Sequence, residues 1–275
     1  MERGSLYLCP TPLGNLDDIT LRVLKTLREV QVIAAEDTRR TRKLLSHFDI
    51  HTPLISYHEH SRAKRTEEII DRLLRGENVA LVSDAGTPVL SDPGEELIRE
   101  ALRQKITVYS LPGPVAAVTA LVASGLPAVP FVFYGFLPPK GKQKKEVLAK
   151  MLAEDKTVIF YEAPHRLRKT LAALKEADSE RRVVVARELT KLHEQYHHGS
   201  LEEIWRYFEE HEPRGEITVL LSPRLQKNER SREELLGMAV KLLEEGFSVR
   251  EAARKIAQLT GGSRNEIYNL LIKKE

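Results

Sequence analysis

The residues best suited to meet a ligand stand in three short segments, each leaving an apolar run. Residues 83–94 follow Val79-Ala80-Leu81-Val82 and crowd Asp84, Gly86, Pro88, Asp92, Pro93 and Gly94 into one stretch. These types disfavour helix and strand interiors, so at the end of a buried strand they turn sharply and present backbone amides and a carboxylate above a sheet. The same composition suits a plain helix start, with Asp-Pro-Gly ahead of Glu95-Glu96-Leu97 and Asp92 as the helix cap. Pro10-Thr11-Pro12-Leu13-Gly14 and Leu111-Pro112-Gly113-Pro114 are built alike. The latter runs into Val115-Ala116-Ala117, small enough to admit a flat ring to the backbone or to bring a helix close to a sheet. Loops at the carboxyl ends of strands are where an open α/β sheet holds a ligand.

What is missing narrows the chemistry. After the first apolar run the chain has one glycine and two prolines where a dinucleotide fold needs G-x-G-x-x-G. Gly141-Lys142 lacks the preceding glycine and following hydroxyl of a P-loop, so neither a nicotinamide dehydrogenase nor an ATPase is supported. The single cysteine, Cys9, excludes an intrachain disulfide and a multi-cysteine metal site, and points to a reducing, cytoplasmic setting. His58 with His60, and His197-His198, lack the cysteine or His-Glu helix patterns of metal sites, so no metal is expected. The longest apolar runs, such as 115–123, are too short to span a membrane, and no signal segment opens the chain.

The net charge of +3 over 275 residues does not announce a polyanion, but its placement does more. Basic residues cluster at Arg39, Arg40, Arg42 and Lys43, at Lys140, Lys142, Lys144 and Lys145, and at Lys273 and Lys274. Each cluster alone suits a solvated face; together they suit a nucleic acid partner. Tyr57, Phe133, Tyr134 and Trp205 read as core, with Tyr57 beside His58 the best exception as a base-stacking residue.

Apolar runs at 6–9, 30–35, 54–57, 79–82, 107–111 and 131–134 predict strands. Spacings near three and four at 21–27, 43–48, 67–74 and 95–102 predict helices between them. This alternation gives an α/β domain over residues 1–137 with a mostly parallel sheet. Phe136-Leu137-Pro138-Pro139-Lys140-Gly141-Lys142-Gln143 breaks both periodicities and reads as an interdomain connection. A second α/β domain over 138–223 has helices at 144–153 and 166–175, strands at 157–161, 183–186, 195–198 and 217–221, and a helix opened by the Ser200/Glu203 capping box. Residues 224–275 are polar and then helical, with capping boxes Ser248/Glu251 and Ser263/Glu266 around a Thr260-Gly261-Gly262 turn. That is the outline of a helix-turn-helix-like module.

Six motifs carry a resemblance. They are residues 11–20, Ala35-Glu36-Asp37-Thr38-Arg39, residues 83–94, Leu111-Pro112-Gly113-Pro114, Tyr161-Glu162-Ala163-Pro164-His165-Arg166, and residues 186–194, Ala-Arg-Glu-Leu-Thr-Lys-Leu-His-Glu. Together and in order, from about residue 6 to 222, they resemble the ribosomal RNA small subunit methyltransferase I family of the tetrapyrrole methylase superfamily. The fold this implies is two α/β domains of the tetrapyrrole methylase type with a small C-terminal helical module. It also implies S-adenosylmethionine as methyl donor, the ribose 2′-hydroxyl of a decoding-centre cytidine in 16S rRNA as acceptor, and a homodimer acting on that RNA or on the small ribosomal subunit. The donor would meet Leu13, then Asp84, Ala85, Gly86 and Thr87, then Val115 and Ala116, with Tyr161 and Glu162 closing the cleft from the second domain. The first loop, Gly14-Asn15-Leu16, departs from the glycine-rich Gly-Asp-Pro ending of tetrapyrrole enzymes, which supports a different acceptor.

Methyl transfer to oxygen is an in-line displacement, and a ribose hydroxyl is a weak acid, so positioning and a nearby base or cation both help. Within the matched motifs Asp37, His165, Glu188 and Lys191 are the catalytic candidates, alongside Glu36, Glu162 and His193. Arg39, Arg40, Arg42, Lys140, Lys142, Arg166 and Arg187 are the RNA-binding candidates. Asp37 also reads as a helix cap, and Glu188 with Lys191 as an ion pair. Two rival functions stay open: a tetrapyrrole or other small-molecule methyltransferase on the same fold, and a ligand-sensing nucleic-acid-binding regulator read out by residues 248–272.

Overall fold

A computed structural model describes residues 2–58, 62–224, 232–260 and 264–272. Residues 1–222 form one compact unit and 223–275 another.

In the first unit β1 (Ser5–Leu8), β2 (Val32–Ala35), β3 (Leu54–Ser56), β4 (Val79–Val82) and β5 (Thr107–Ser110) make a wholly parallel sheet in the order β3-β2-β4-β1-β5. β2 and β4 are buried throughout because helices cover both faces, which is why their sequences are unbroken apolar runs. Alternate residues choose the face. Leu6, Val32, Val79 and Leu81 pack with Ile69 and Leu73 of α3 (Arg62–Leu74) and Leu97 of α4 (Glu95–Arg103). Ile33, Ala80 and Val82 pack with Val23 and Leu27 of α1 (Leu21–Glu29) and Leu45 of α2 (Thr38–His47). Parallel strands send all their carboxyl ends to one edge. The segments after β1, β2, β4 and β5 therefore meet there.

A second sheet has the order β6-β7-β10-β8-β9, from β6 (Phe131–Phe136), β7 (Thr157–Glu162), β8 (Arg182–Arg187), β9 (Gln195–Ser200) and β10 (Ile217–Leu221). Only β6 and β7 run parallel; the other pairs are antiparallel. α6 (Gly141–Ala153), α7 (Pro164–Ala177) and α8 (Leu201–Glu210) bury Met151, Leu167, Leu171 and Phe208 against one face. α5 (Ala116–Ala123) lays Ala117, Ala120 and Leu121 on the other.

This corrects the expected boundary at residue 137. β6 pairs with β7, and α5 packs on that same sheet, so the chain passes from one sheet to the other near Leu111-Pro112-Gly113-Pro114. The proline-rich stretch after Phe136 only turns the chain from β6 into α6. α2 begins at Thr38, well before the predicted periodicity, because the Asp37 carboxylate accepts from the Arg39 N–H and caps it. The Ser200/Glu203 capping box is present.

In the second unit α9 (Arg232–Glu244), α10 (Val249–Thr260) and α11 (Arg264–Ile272) share a small core of Ala239, Ala253, Ile256 and Ile267. Ser248 and Glu251 form their predicted capping box, whereas Ser263, Gly261, Gly262, Lys273 and Lys274 lie outside the described residues. Among the described residues no helix is long and apolar enough to cross a membrane.

The carboxyl end of β7 carries a buried ion cluster. The Glu162 carboxylate accepts from Arg166 NH2 at 2.6 Å, Lys144 Nζ at 3.4 Å, the Thr170 hydroxyl at 2.6 Å and the Ala163 N–H at 2.9 Å. Two cations and one anion taken from water persist only while every partner stays. Glu162→Gln should therefore cost about 3–5 kcal/mol in chemical denaturation. A loss below about 1 kcal/mol would mean that the cluster is effectively solvated.

Gly94 has φ 145°, and a Cβ there would sit 2.9 Å from Leu81 Cδ2 and 2.8 Å from Val89 Cγ2. Gly94→Ala should lose about 1–3 kcal/mol for the backbone alone. The loss should exceed that of Gly125→Ala, where φ is also positive but no atom lies within 4 Å of the added carbon. Equal losses in urea melts would rule out the steric contribution.

Candidate functional site

Three loops at the carboxyl ends of β1, β4 and β5 are tied by main-chain bonds. Thr11 and Gly86 exchange reciprocal backbone hydrogen bonds of 2.9 and 2.8 Å, and the Thr11 hydroxyl donates to the Ser83 carbonyl at 3.1 Å. The Thr87 hydroxyl donates to the Pro114 carbonyl at 2.9 Å. A Cβ on Gly86 would stand 3.2 Å from Leu13 Cδ2 and 3.6 Å from the Pro114 oxygen, and φ there is 80°. Only glycine lets the first and third loops close on the second in this way. Pro10 lies against Gly113 so closely that a Cβ there would overlap it. The structure thus brings together Leu13, Asp84, Ala85, Gly86, Thr87, Val115 and Ala116.

Within residues 83–94, Val89 and Ser91 also adopt positive φ, 76° and 74°. A β-branched residue in that region is strained, and such strain persists only where the surroundings hold it. The loop reaches the second sheet, because a Cβ on Gly135, at the irregular part of β6, would stand 2.9 Å from Ser91 Oγ. Tyr161, at the end of β7, accepts from the Ala117 N–H in the first turn of α5 at 3.2 Å, flanked edge-on by Phe133 and Phe136. Burial first, and then the nearby Asp92, push its phenol upward, so it stays protonated.

Glu162, expected beside Tyr161 as a donor contact, instead points into the ion cluster of the second sheet, with its side chain fully buried. Arg166, expected to face RNA, is committed there too, and its NH1 donates to the Leu137 carbonyl. Lys144 leaves the predicted basic cluster for the same reason. Tyr57 is fully buried, with its hydroxyl 3.2 Å from that of Thr66, so it is core rather than a stacking platform.

Carboxylates converge where β2 and β4 end side by side. Asp84 accepts from the Asp37 N–H at 3.0 Å and pairs with Arg40 at 3.4 Å. The Asp37 side chain is held by Arg39 Nε and NH2 at 3.2 and 3.0 Å, which keeps its pKa down at about 2. Glu36 is pushed up by burial and then by Asp84. Asp92 is pushed up to about 6 by burial and then by Glu36, with Ser83 in hydrogen-bonding reach. Asp92 does not cap α4, contrary to the sequence expectation: Gly94 is the N-cap, and it has no side chain with which to cap. Sequence alone missed Asp92 as a titrating group, because its neighbour Glu36 arrives from a different strand.

The loop after β8 crosses to the first loop. Asn15 N–H donates to Thr190 Oγ1 at 3.1 Å, and a Cβ on Gly14 would overlap the Lys191 side chain. Lys191 binds Glu188 at 3.0 Å and Glu216 at 3.1 Å; these carboxylates outweigh its burial and hold its ammonium above the usual range. The Glu188 carboxylate is pulled down first by the Glu216 N–H and then by Lys191. Both candidates are engaged in an ion cluster that pins this loop over Gly14.

His165 is exposed in the first turn of α7, and His193 is exposed in the 188–194 loop. Arg39, Arg40 and Arg42 are exposed along α2. Lys140 is the exposed N-cap of α6, and Lys142 pairs with Glu146 at 3.8 Å. Arg187 donates through NH1 to Gln195, while its buried Nε has no hydrogen-bond partner among the described residues.

Comparison with known proteins gives this geometry a family. A profile described as Tetrapyrrole (Corrin/Porphyrin) Methylases matches residues 5–204. A Synechocystis protein named Ribosomal RNA small subunit methyltransferase I is 44% identical, covering 99% of each chain. Its Bacillus subtilis namesake is 42% identical over 98% of this chain and 94% of its own. Among solved structures, a diphthine synthase superposes with a TM-score of 0.63 at 14% identity, covering 80% of this chain and 90% of that one. A Thermus thermophilus uroporphyrin-III C-methyltransferase complexed with S-adenosylhomocysteine gives 0.58 at 18% identity, covering 80% and 97%. The chain belongs to the tetrapyrrole methylase superfamily and, within it, to the ribosomal RNA small subunit methyltransferase I family.

Proposed function

We propose that this methyltransferase moves the methyl group of S-adenosylmethionine to the ribose 2′-hydroxyl of a decoding-centre cytidine in 16S rRNA, working as a cytoplasmic homodimer. The observation that carries the reading is the three-loop cradle closed by the Thr11–Gly86 pair with carboxylates beside it. The cradle suits this donor: Gly86 and Ala85 leave room for a flat ring, and Glu36, Asp84 and Asp92 supply negative charge for a cation. When bound, the donor supplies an electrophilic methyl carbon on a sulfonium.

Leu13, Ala85, Gly86, Thr87, Val115 and Ala116 line its place, and Tyr161 steadies the start of α5 behind it. Holding the acceptor oxygen in line supplies much of the acceleration. Of the carboxylates, Asp37 and Glu188 are poor proton acceptors because their partners favour the ionised form. Asp92, titrating near 6, is ionised at neutral pH yet basic enough to take the ribose hydroxyl proton.

The chain between β5 and β6 supports the dimer. Tyr109, Val118, Val122, Val129 and Phe131 are exposed there, with Val122 at 73% and Val129 at 85%. β5 and β6 are edge strands of their sheets. Apolar surface of this kind on a soluble chain marks an interface.

Labelled donor offered in parallel to naked 16S RNA, assembled small subunits and a macrocycle should label RNA or subunits only, at a position that resists alkaline cleavage. Label in the macrocycle alone would replace this reading with a small-molecule methyltransferase. The rate should rise as pH increases through about 6 and then level, because only ionised Asp92 accepts a proton. Asp92→Asn should remove that limb and lower kcat by about 10²–10⁴-fold. Its fold should be no less stable at pH 7.5, since the raised pKa means that ionised Asp92 weakens the native state above about pH 6, an effect that fades as pH falls from about 6 to the ordinary value of 3.8. Retention of the acidic limb by Asp92→Asn would assign the proton to another group. Val122→Asp should convert the dimer to monomer in sedimentation equilibrium; an unchanged mass would place the interface elsewhere.

A further inference from the structure

A cavity of about 200 Å³ opens between the first loop and α2. Pro12 and Leu16 wall one side, and Arg40, Lys43 and Leu44 the other. The three α2 residues follow the i, i+3, i+4 spacing, so they share one face of the helix. Thr11 and Ser83, whose hydrogen bond joins the first two loops of the cradle, also line the cavity, as does Asp84, which accepts from the Asp37 N–H at the start of α2. The occupant of this cavity therefore lies next to the donor cradle.

The chemistry of the walls selects the occupant. Two cations, one of them paired with Asp84, stand on one side of a slot whose apolar walls are Pro12, Leu16 and Leu44, which suits a group with a flat or puckered ring and a phosphate. Among the described residues Arg40 pairs with one carboxylate, at 3.4 Å, and is 64% exposed, so its guanidinium keeps donors for a phosphate. The basic run on α2 is also divided by the fold. Arg40 and Lys43 line the cavity, whereas Arg39 is tied to the Asp37 cap at 3.0 Å and Arg42 is not among the lining residues. A run that reads as one cluster in sequence is two surfaces in space.

We infer that this cavity is the acceptor-strand subsite: it seats one nucleotide of single-stranded RNA, with phosphate on Arg40 and Lys43 and ribose or base against Pro12, Leu16 and Leu44. The inference rests on the reading that RNA is the methyl acceptor, and it assigns the place where the strand enters. It also accounts for the proline and leucine in the first loop, which leave an apolar wall beside Gly14.

The test compares neighbouring cations on α2. Lys43→Ala and Arg42→Ala each remove one exposed positive charge from the same helix. Binding of a single-stranded 16S RNA fragment is followed by fluorescence anisotropy over a salt series, and binding of S-adenosylhomocysteine by calorimetry. Lys43→Ala should weaken RNA binding about tenfold and lower the salt slope by about one, with donor affinity unchanged. Arg42→Ala should change RNA binding by less than about twofold. Lys43→Arg should restore binding, and Leu16→Ser should weaken it without altering the salt slope. Equal effects of Lys43→Ala and Arg42→Ala, in an enzyme that methylates RNA, would overturn the subsite and leave the reaction standing. Loss of donor affinity in Lys43→Ala would reassign the cavity to the donor. A wild-type chain that neither binds nor methylates RNA would overturn both the subsite and the reading beneath it.

Discussion

The reciprocal hydrogen bonds between Thr11 and Gly86 join the loops of two adjacent parallel strands, and the remaining site geometry hangs on that join. β1 and β4 deliver these loops side by side, but strand pairing alone ends at Leu8 and Val82. Beyond those points the backbone polar groups need new partners, since buried amides and carbonyls are costly when unpaired. Thr11 and Gly86 supply them to each other. The bridge then dictates the neighbours: Gly86 must lack a side chain for Leu13 to pass, and Thr87 is left facing the Pro114 carbonyl of the third loop. One two-bond join sets the spacing of three loops.

Electrostatics divides the site into fixed and titratable parts. Asp37 with Arg39, Glu162 with Arg166 and Lys144, and Glu188 with Lys191 are each closed sets in which the carboxylate has its cation nearby. Such sets hold backbone in place, and at Asp37 and Glu188 the partners also favour the ionised carboxylate. Glu36 and Asp92 differ: burial raises both, reinforced by Asp84 at Glu36 and by Glu36 at Asp92, while Arg40 partly offsets the rise at Glu36. Opposed environments for neighbouring acids are how proton-transfer roles are set apart on one scaffold. The strained backbone at Val89 and Ser91 belongs to the same segment, so the turn that carries Asp92 is held by its surroundings rather than by local preference.

Much of this was legible in the sequence. β2 and β4 show as unbroken apolar runs because both their faces are covered, and proline and glycine mark the loop beginnings. Two kinds of fact were not legible. The first is sheet membership: Phe131–Phe136 reads as one more strand of an alternating series, and only its pairing with β7 assigns it to the second sheet. The second is side-chain direction across elements. Glu162 and Arg166 sit next to Tyr161 in a matched motif, yet residues adjacent in a strand point to opposite faces, so Tyr161 turns toward α5 and Glu162 toward α7. Asp92 was misread for the complementary reason. Its local sequence is a good helix start, and local sequence does not register that Glu36 lies across the strand ends.

The two sheets contribute unequally, and their topology explains the division. A parallel sheet gathers all its carboxyl-end loops at one edge, which suits a cradle built from several short turns. An antiparallel sheet alternates its ends, so few of its loops reach that edge. From the second sheet, Tyr161 meets α5 at the end of β7, and the loop after β8 extends over the first loop through Thr190 and Lys191. That loop carries positive φ at Glu188 and Thr190, a backbone cost offset by the ion cluster of Glu188, Lys191 and Glu216. The first loop is therefore gripped from both sides, by Gly86 beneath Leu13 and by Lys191 over Gly14. Under the proposed reading a donor held by these loops would leave adaptation to the acceptor side, where α2 presents the exposed cations Arg39, Arg40, Arg42 and Lys43.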